Sequence, residues 1–192
     1  YVLIDNSTGA AVTMMDGTEL TRRRTASASA LAADYLARPD AATLVIVGSG
    51  ALAPHFARAH ASVRPIRTIF IHSRTARKCT AVAEDLKRDG FDARYAEDLE
   101  TAVGQADIVC CVTTSRAPIV HGAWLRPGTH VDLAGAFTPT MRETDGDVVA
   151  RARVYVDTRD GALAEAGDLL QARDEGQFDF AAVQGDLFEL CR

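Results

Sequence analysis

Aromatic residues make up only 6% of this 192-residue chain, so its core cannot be built on large rings and must come from close packing of smaller side chains. Alanine is abundant and the apolar share is 47%, a composition suited to helices lying tightly on a sheet. Positive charge is not in excess. Lys and Arg total 21 against 26 Asp and Glu, a net charge of -5, which offers no broad field for a phosphate backbone or anionic lipid and argues against nucleic-acid and membrane partners. No apolar stretch reaches the ~18 residues of a bilayer span, and the opening residues do not read as a signal peptide, so a cytoplasmic protein is expected. The four cysteines, Cys79, Cys110, Cys111 and Cys191, show no CxxC spacing and are expected to be small buried residues. Cys110 and Cys111 are neighbours in a strand-like run and should face opposite sides of a sheet. No metal is expected. His55 and His60 are five apart, a spacing that does not share a helix face, while His72, His121 and His130 are isolated in sequence. A GxSxG nucleophile motif is also missing.

At about 100 to 200 residues per domain, the length allows one domain, or one domain with pieces of another. The chain opens at Tyr1 without a methionine and ends on GDLFELCR, which reads as a fragment. Residues 1–16 predict two short strands around a polar turn at Asn6 to Gly9. Thr18 is placed to cap a helix that runs to about Arg38, where Pro39 stops it. From Thr43 strands and helices alternate: TLVIV, a helix from about Ala51 to Ser62, IRTIFIH, a helix from about Ala76 to Asp89, a strand at Asp92 to Tyr95, a helix from Leu99 to Gly104, DIVCCVT and THVDLAG, with RVYVD as a last strand. That alternation predicts an α/β fold with a doubly wound parallel sheet.

The segment LVIVGSGALAPHFARAH carries the first chemical signal. Gly48, Ser49, Gly50, Ala51, Leu52 and Ala53 form GxGxxA between a buried strand and a helix. The first glycine permits a tight turn, the second lets backbone approach a pyrophosphate, and the small last residue packs helix on strand. A plain tight turn is the alternative. At the end of the next strand an NAD site would present a carboxylate to the ribose 2′-hydroxyl. IHSRTARK instead presents Ser73, Arg74, Thr75, Arg77 and Lys78, with no carboxylate before Glu84, which favours NADP(H) over NAD(H). Basic residues at a helix start otherwise oppose the helix dipole. After the fourth strand, Thr113, Thr114 and Ser115 could contact ribose or nicotinamide, or serve only the turn. Thr140 to Glu143 matches a capping box, which favours a structural role for Glu143 over a catalytic one.

The segments GTELTRRRTASASALAADYLAR, LVIVGSGALAPHFARAH, IHSRTARK, ADIVCCVTTSRAPIV, WLRPGTHVDLAGAFTPTMRETD and EAGDLL together resemble the ornithine cyclodeaminase / μ-crystallin family, in order and in spacing, over essentially the whole chain. The resemblance implies a Rossmann-type domain over residues 41–158, with residues 1–17 a remnant of a substrate and dimerisation domain, 18–40 a connecting helix and 159–192 a helical return to that second domain. It implies a homodimer binding a small imino-acid or amino-acid substrate. Arg24 would hold the substrate carboxylate and Thr25 the cofactor phosphates. Successive helical residues point roughly 100° apart, so Arg22, Arg23 and Arg24 cannot all line one site, and the other two are expected in solvent.

A family lysine and a further arginine near the substrate belong to a segment upstream of residue 1, so the catalytic residue and the proton donor are not placed here, and a polypeptide with these limits is expected to be inactive. Cyclodeaminases of the family carry an aspartate in the loop after the fifth strand, where this chain has Ala136 and Phe137. The GAFTPTMRE form is similar to the reductase branch, which converts Δ1-pyrroline-2-carboxylate and Δ1-piperideine-2-carboxylate to L-proline and L-pipecolate. The expected activity is therefore an NADPH-dependent ketimine reductase. Ornithine cyclodeaminase, a non-catalytic NADPH-binding μ-crystallin-like protein, and alanine dehydrogenase are the alternatives.

Overall fold

The structure is a computed structural model that describes all of residues 1–192. The chain opens with strands β1 (Val2–Ile4) and β2 (Ala11–Met14) and a long helix α1 (Gly17–Leu36). Alternating elements follow: β3 (Thr43–Val47), α2 (Ala53–Val63), β4 (Thr68–His72), α3 (Ala76–Arg88), β5 (Asp92–Tyr95), α4 (Leu99–Gln105), β6 (Ile108–Cys111), β7 (Arg116–Val120) and β8 (His130–Leu133). The remainder comprises β9 (Arg142–Thr144), α5 (Gly146–Arg151), β10 (Tyr155–Val156), α6 (Arg159–Glu165), α7 (Gly167–Asp174), β11 (Gly185–Asp186) and α8 (Leu187–Leu190).

Five strands form one parallel sheet in the order β5-β4-β3-β6-β8. Chain order reverses between β3 and β6, which makes their carboxyl ends the switch point of a doubly wound sheet, where such folds bind ligands. Both faces are covered, so β3 reads as continuous apolar residues whose alternate members enter different cores. Leu44 and Ile46 join Phe56, Ile69, Ile71, Leu86 and Cys110. Val45 and Val47 join Leu99, Val103, Val109, Cys111 and Val120 on the opposite face. The expectation that Cys110 and Cys111 face opposite sides is met.

Helix α1 meets the sheet side through Ala26, Ala30 and Ala33, all buried, and small side chains let it lie close on α2. Beyond its end Arg38 pairs with Asp107, whose other oxygen accepts from the amides of Ala42 and Thr43 at 2.9 and 3.0 Å. These contacts sit at the amino end of β3 and β6, whereas Ser29, nearer the start of α1, donates to Asp132 of β8 at 2.9 Å. The helix therefore runs antiparallel to the strands, and its first turns rise toward their carboxyl ends.

Several local expectations are corrected. Asp16, not Thr18, caps α1, its side chain accepting from the Thr18 amide; a carboxylate beside the first free amides also suits the positive end of the helix dipole. The helix ends at Leu36, ahead of the predicted Arg38, because the residue before Pro39 is pushed from helical geometry. RVYVD is not a strand of the main sheet: only Tyr155 and Val156 pair, in parallel with Gly185 and Asp186. Cys191 is exposed, while the other three cysteines are buried. The Thr140 to Glu143 segment starts no helix; Arg142–Thr144 is a strand pairing with β7, and the cap that follows is Asp145, which accepts from the Val148 amide. The β1–β2 hairpin formed as predicted, and both of its faces are exposed. No helix is long and apolar enough to cross a membrane.

Candidate functional site

The crevice at the switch point is built from four loops. Gly48 ends β3 with φ +126°, and a Cβ there would stand 2.8 Å from the Val112 carbonyl oxygen after β6. Only glycine accepts both that conformation and that approach. Gly50 has open space where a side chain would go. The amides of Ser49, Gly50, Ala51 and Leu52 have no acceptor within the chain, and α2 starts without a side-chain cap. Four unpaired N–H groups at the positive end of a helix, with room in front of them, fit a pyrophosphate. Ala53 is fully buried, as the helix-on-strand contact requires.

At the end of β4, Ser73 turns inward. Its hydroxyl lies 2.7 Å from that of Ser49 and 3.0 Å from the Cys79 sulfur, so it ties the glycine turn to α3. Arg74, Thr75, Arg77 and Lys78 are exposed. Helix α3 has no acidic residue in its first turn and no side-chain cap, an arrangement that leaves cations facing the positive helix end until an anion arrives. After β6, Thr113 accepts from the Ser115 amide at 3.1 Å, and Ser115 donates to the Ala117 carbonyl at 2.7 Å. These two hydroxyls serve the turn, while Thr114 is exposed.

Arg24 is exposed, and Thr25, half-buried, donates its hydroxyl to the Thr21 carbonyl at 2.8 Å. Four or five residues before Ser29, they stand roughly 6 to 8 Å further along α1 toward its start, in the direction of the strands' carboxyl ends. Arg23 pairs with Glu19 at 2.7 Å in solvent. Arg22 is half-buried, not solvated as expected, and lines a shallow groove with Tyr1, Gly17, Thr18 and Thr21.

Sequence spacing missed two buried polar groups. Under α1, Asp132 receives Ser29 and the Cys110 thiol, the latter at 3.2 Å, and lies 3.5 Å from His60 Nε2. Burial pushes the Cys110 thiol well up and lowers His130 nearby. His60 and His130 are 70 positions apart in numbering, and only the sheet brings them together.

The second group is Glu143. It is fully buried and accepts the Thr113 amide at 2.6 Å on one oxygen and the Gly135 amide at 2.8 Å on the other. Its own amide and that of Thr144 donate to Asp168 Oδ1 at 2.9 and 2.7 Å. Burial raises Glu143 to about 7, against the lowering effect of those amides, and Asp168 is raised for the same reason. A carboxyl whose folded pKa is raised stabilises the fold fully below its unfolded pKa and loses that contribution as pH climbs to the folded value. From 4.5 to about 7, at 1.36 kcal/mol per unit, Glu143 withdraws about 3 kcal/mol. Denaturant melts of the wild type and Glu143→Gln should show this fall between pH 5 and 8 in the wild type and a flatter curve in the variant.

A family profile described as "Ornithine cyclodeaminase/mu-crystallin family" matches residues 1–192. The chain belongs to this family. It is similar to Delta(1)-pyrroline-2-carboxylate reductase of Paracoccus denitrificans, 41% identical over 100% of this chain and 61% of that protein. Ketimine reductase mu-crystallin of Rattus norvegicus is 33% identical over 88% of the chain and 53% of its own length. The structure of Thermococcus litoralis Delta(1)-pyrroline-2-carboxylate reductase in complex with NADH and L-proline superimposes with a TM-score of 0.95 at 33% identity, over 98% of this chain and 58% of that one. The chain thus spans about three fifths of the length of the reductases it matches.

Proposed function

We propose that the intact protein containing this chain is a nicotinamide-dependent reductase of cyclic imino acids, converting Δ1-pyrroline-2-carboxylate or Δ1-piperideine-2-carboxylate to L-proline or L-pipecolate, with NADPH the favoured donor. The observation that carries the reaction class is the loop after β8. Ala136 and Phe137 stand there without a carboxylate, and the next one, Glu143, spends both oxygens on backbone amides. That loop offers no free acid to assist departure of ammonia, as the loop aspartate of a cyclodeaminase would. The reductases and the ketimine reductase among its relatives support the same reading.

When bound, the dinucleotide supplies the hydride that adds to the imine carbon. The amides of residues 49–52 take its pyrophosphate. Arg74, with Arg77, Ser73 and Thr75 alongside, meets the ribose 2′-phosphate, and Thr113, Thr114 and Ser115 border the nicotinamide half. Thr25 contacts phosphate from the helix above. Arg24 holds the imino-acid carboxylate by two parallel charge-assisted bonds, fixing the imine carbon against the cofactor. Residues 1–17 and 159–192 contribute to a second, substrate and dimerisation domain flanking 41–158, in a homodimer.

Two substitutions separate these roles. Arg74→Ala should lower the ratio of kcat/KM for NADPH over NADH by about tenfold, the worth of one exposed charge-assisted contact; an unchanged ratio would remove Arg74 from the 2′-phosphate. Arg24→Ala should raise KM for the cyclic imine about 100-fold while NADPH affinity stays put. The reaction itself is tested by offering the intact protein NADPH with each cyclic imine, and L-ornithine separately. Imine-dependent NADPH oxidation is expected; ammonia release from ornithine without net NADPH consumption would make it a cyclodeaminase.

A further inference from the structure

We propose that Glu143 is a positioning residue for the nicotinamide end of the crevice: its ionised carboxylate spans the loops leaving β6 and β8 and holds them at the separation that nicotinamide and imine require. The inference rests on the dinucleotide reading above and adds a residue that touches neither ligand.

The geometry is that of a splint. One carboxylate oxygen takes the Thr113 amide and the other the Gly135 amide, so the distance between the two loops is fixed by the width of a single carboxylate. The approach is tight enough that a Cβ on Gly135 would overlap both Glu143 Oε1 and the Thr113 carbonyl. Behind the splint, Asp168 of α7 accepts the amides of Glu143 and Thr144 and the Thr144 hydroxyl. Arg142 binds Glu175 through both terminal nitrogens. The loops are thereby anchored to α7 and not merely to each other. The groups that face the carboxylate, the Thr113 and Gly135 amides and the Thr113 hydroxyl, are donors, and only an ionised carboxyl presents two acceptor atoms to the two amides. A glutamine would turn an N–H toward one of the amides and keep only the other.

Charge on this group is finely placed. Asp168 from α7 faces it, the thiols of Cys111 and, from the other side of the sheet, Cys110 feel its charge from β6, and Arg142 on its own strand is committed to Glu175 and to the Thr144 carbonyl. With burial raising Glu143 to about 7, acidification converts one acceptor oxygen to O–H and releases one loop. Affinity for the nicotinamide half should therefore fall as pH drops through neutrality, while the adenine half, bound at β3 and β4, is untouched.

Two probes read this in the intact protein: NADPH, and 2′-phospho-ADP-ribose, which lacks nicotinamide. Both carry the 2′-phosphate, so its own titration cancels in the ratio of their dissociation constants. In the wild type that ratio should shift against NADPH by about tenfold between pH 8 and pH 6. In Glu143→Gln it should be flat with pH and fixed near the acidic wild-type value, with 2′-phospho-ADP-ribose bound as in the wild type. A flat wild-type ratio with both probes bound would overturn the proposal alone, and needs no variant to fold. Equal weakening of both probes in Glu143→Gln would also overturn it, since a general loosening of the fold does that. Failure of the wild type to bind either probe at any pH would overturn the dinucleotide reading and this inference with it.

Discussion

Replacing Gly48 by alanine is expected to abolish nicotinamide dinucleotide binding and to cost the fold about 3 kcal/mol. The residue sits at φ +126°, and the new methyl would meet the Val112 carbonyl oxygen at 2.8 Å and a Val112 methyl at 3.0 Å. Backbone strain and overpacking thus act at one atom. Relief requires β3 and β6 to part where they are hydrogen-bonded, the Val112 amide to the Val47 carbonyl at 2.9 Å, and that is the floor of the crevice. For a domain of this size the loss should appear as a fall in Tm of roughly 6 to 12 °C. Gly50→Ala is the informative contrast. Nothing lies within 4 Å of the point where its methyl would stand, and its φ is not in the left-handed region, so the fold should keep its stability to about 0.5 kcal/mol. The methyl would nonetheless take up open space within the turn that carries the unpaired amides, and is expected to weaken the dinucleotide. Calorimetry on both variants, with and without NADPH, separates a turn that shapes the fold from one that receives a ligand.

Asp168→Ala should be nearly as damaging, at about 3 kcal/mol, for a different reason. Its Oδ1 is the acceptor for three donors, the amides of Glu143 and Thr144 and the Thr144 hydroxyl, and truncation strands them where water is excluded. Its Oδ2 has no partner at all, and burial raises its pKa, so the charge itself weakens the fold at neutral pH. Asp168→Asn keeps Oδ1 and removes the charge, and is expected to stay within about 1 kcal/mol of wild type. The sign of the pH effect follows: the contribution of Asp168 is complete below its unfolded pKa and declines as pH passes its raised folded value. The asparagine variant should lose less stability than wild type as pH rises above the ordinary aspartate value of 3.8 in urea melts. An alanine variant as stable as asparagine would show that the three donors find other acceptors.

What could be read from the chain follows the range of each interaction. Strands β3, β4 and β5 were legible because each is an apolar or alternating run closed by local breakers, and the glycine turn because its chemistry occupies six consecutive residues. The basic end of β4 was legible for the same reason. Pairing of β7 with β9 was not: RAPIV and RET are short, partly polar segments whose partner lies 26 positions away, Arg116 against Arg142. Glu143 shows the same limit most clearly. Thr140 to Glu143 has the spacing of a capping box, a rule that measures only sequence distance, whereas the amides it serves belong to Thr113 and Gly135. The capping box is not formed, because Arg142–Thr144 is a strand and Asp145 caps the helix that follows. His60, His130 and Asp132 stayed scattered until the sheet gathered them. Arg24 and Thr25 were singled out through family resemblance alone; the physical reason for their position is the antiparallel run of α1, set by Asp107 at one end and Asp132 in the middle.

The central claim is that this scaffold positions a cyclic imine for hydride addition. Its most direct test is isotopic: the intact protein is incubated with Δ1-pyrroline-2-carboxylate and NADPH deuterated at nicotinamide C4, on each face in turn, and the product examined by mass spectrometry and NMR. L-proline carrying one deuterium at C2, from one of the two labelled cofactors, is the expected result. Proline formed from L-ornithine with ammonia release and no net oxidation of the labelled cofactor, or no turnover of the imine by a protein that binds NADPH, would contradict it.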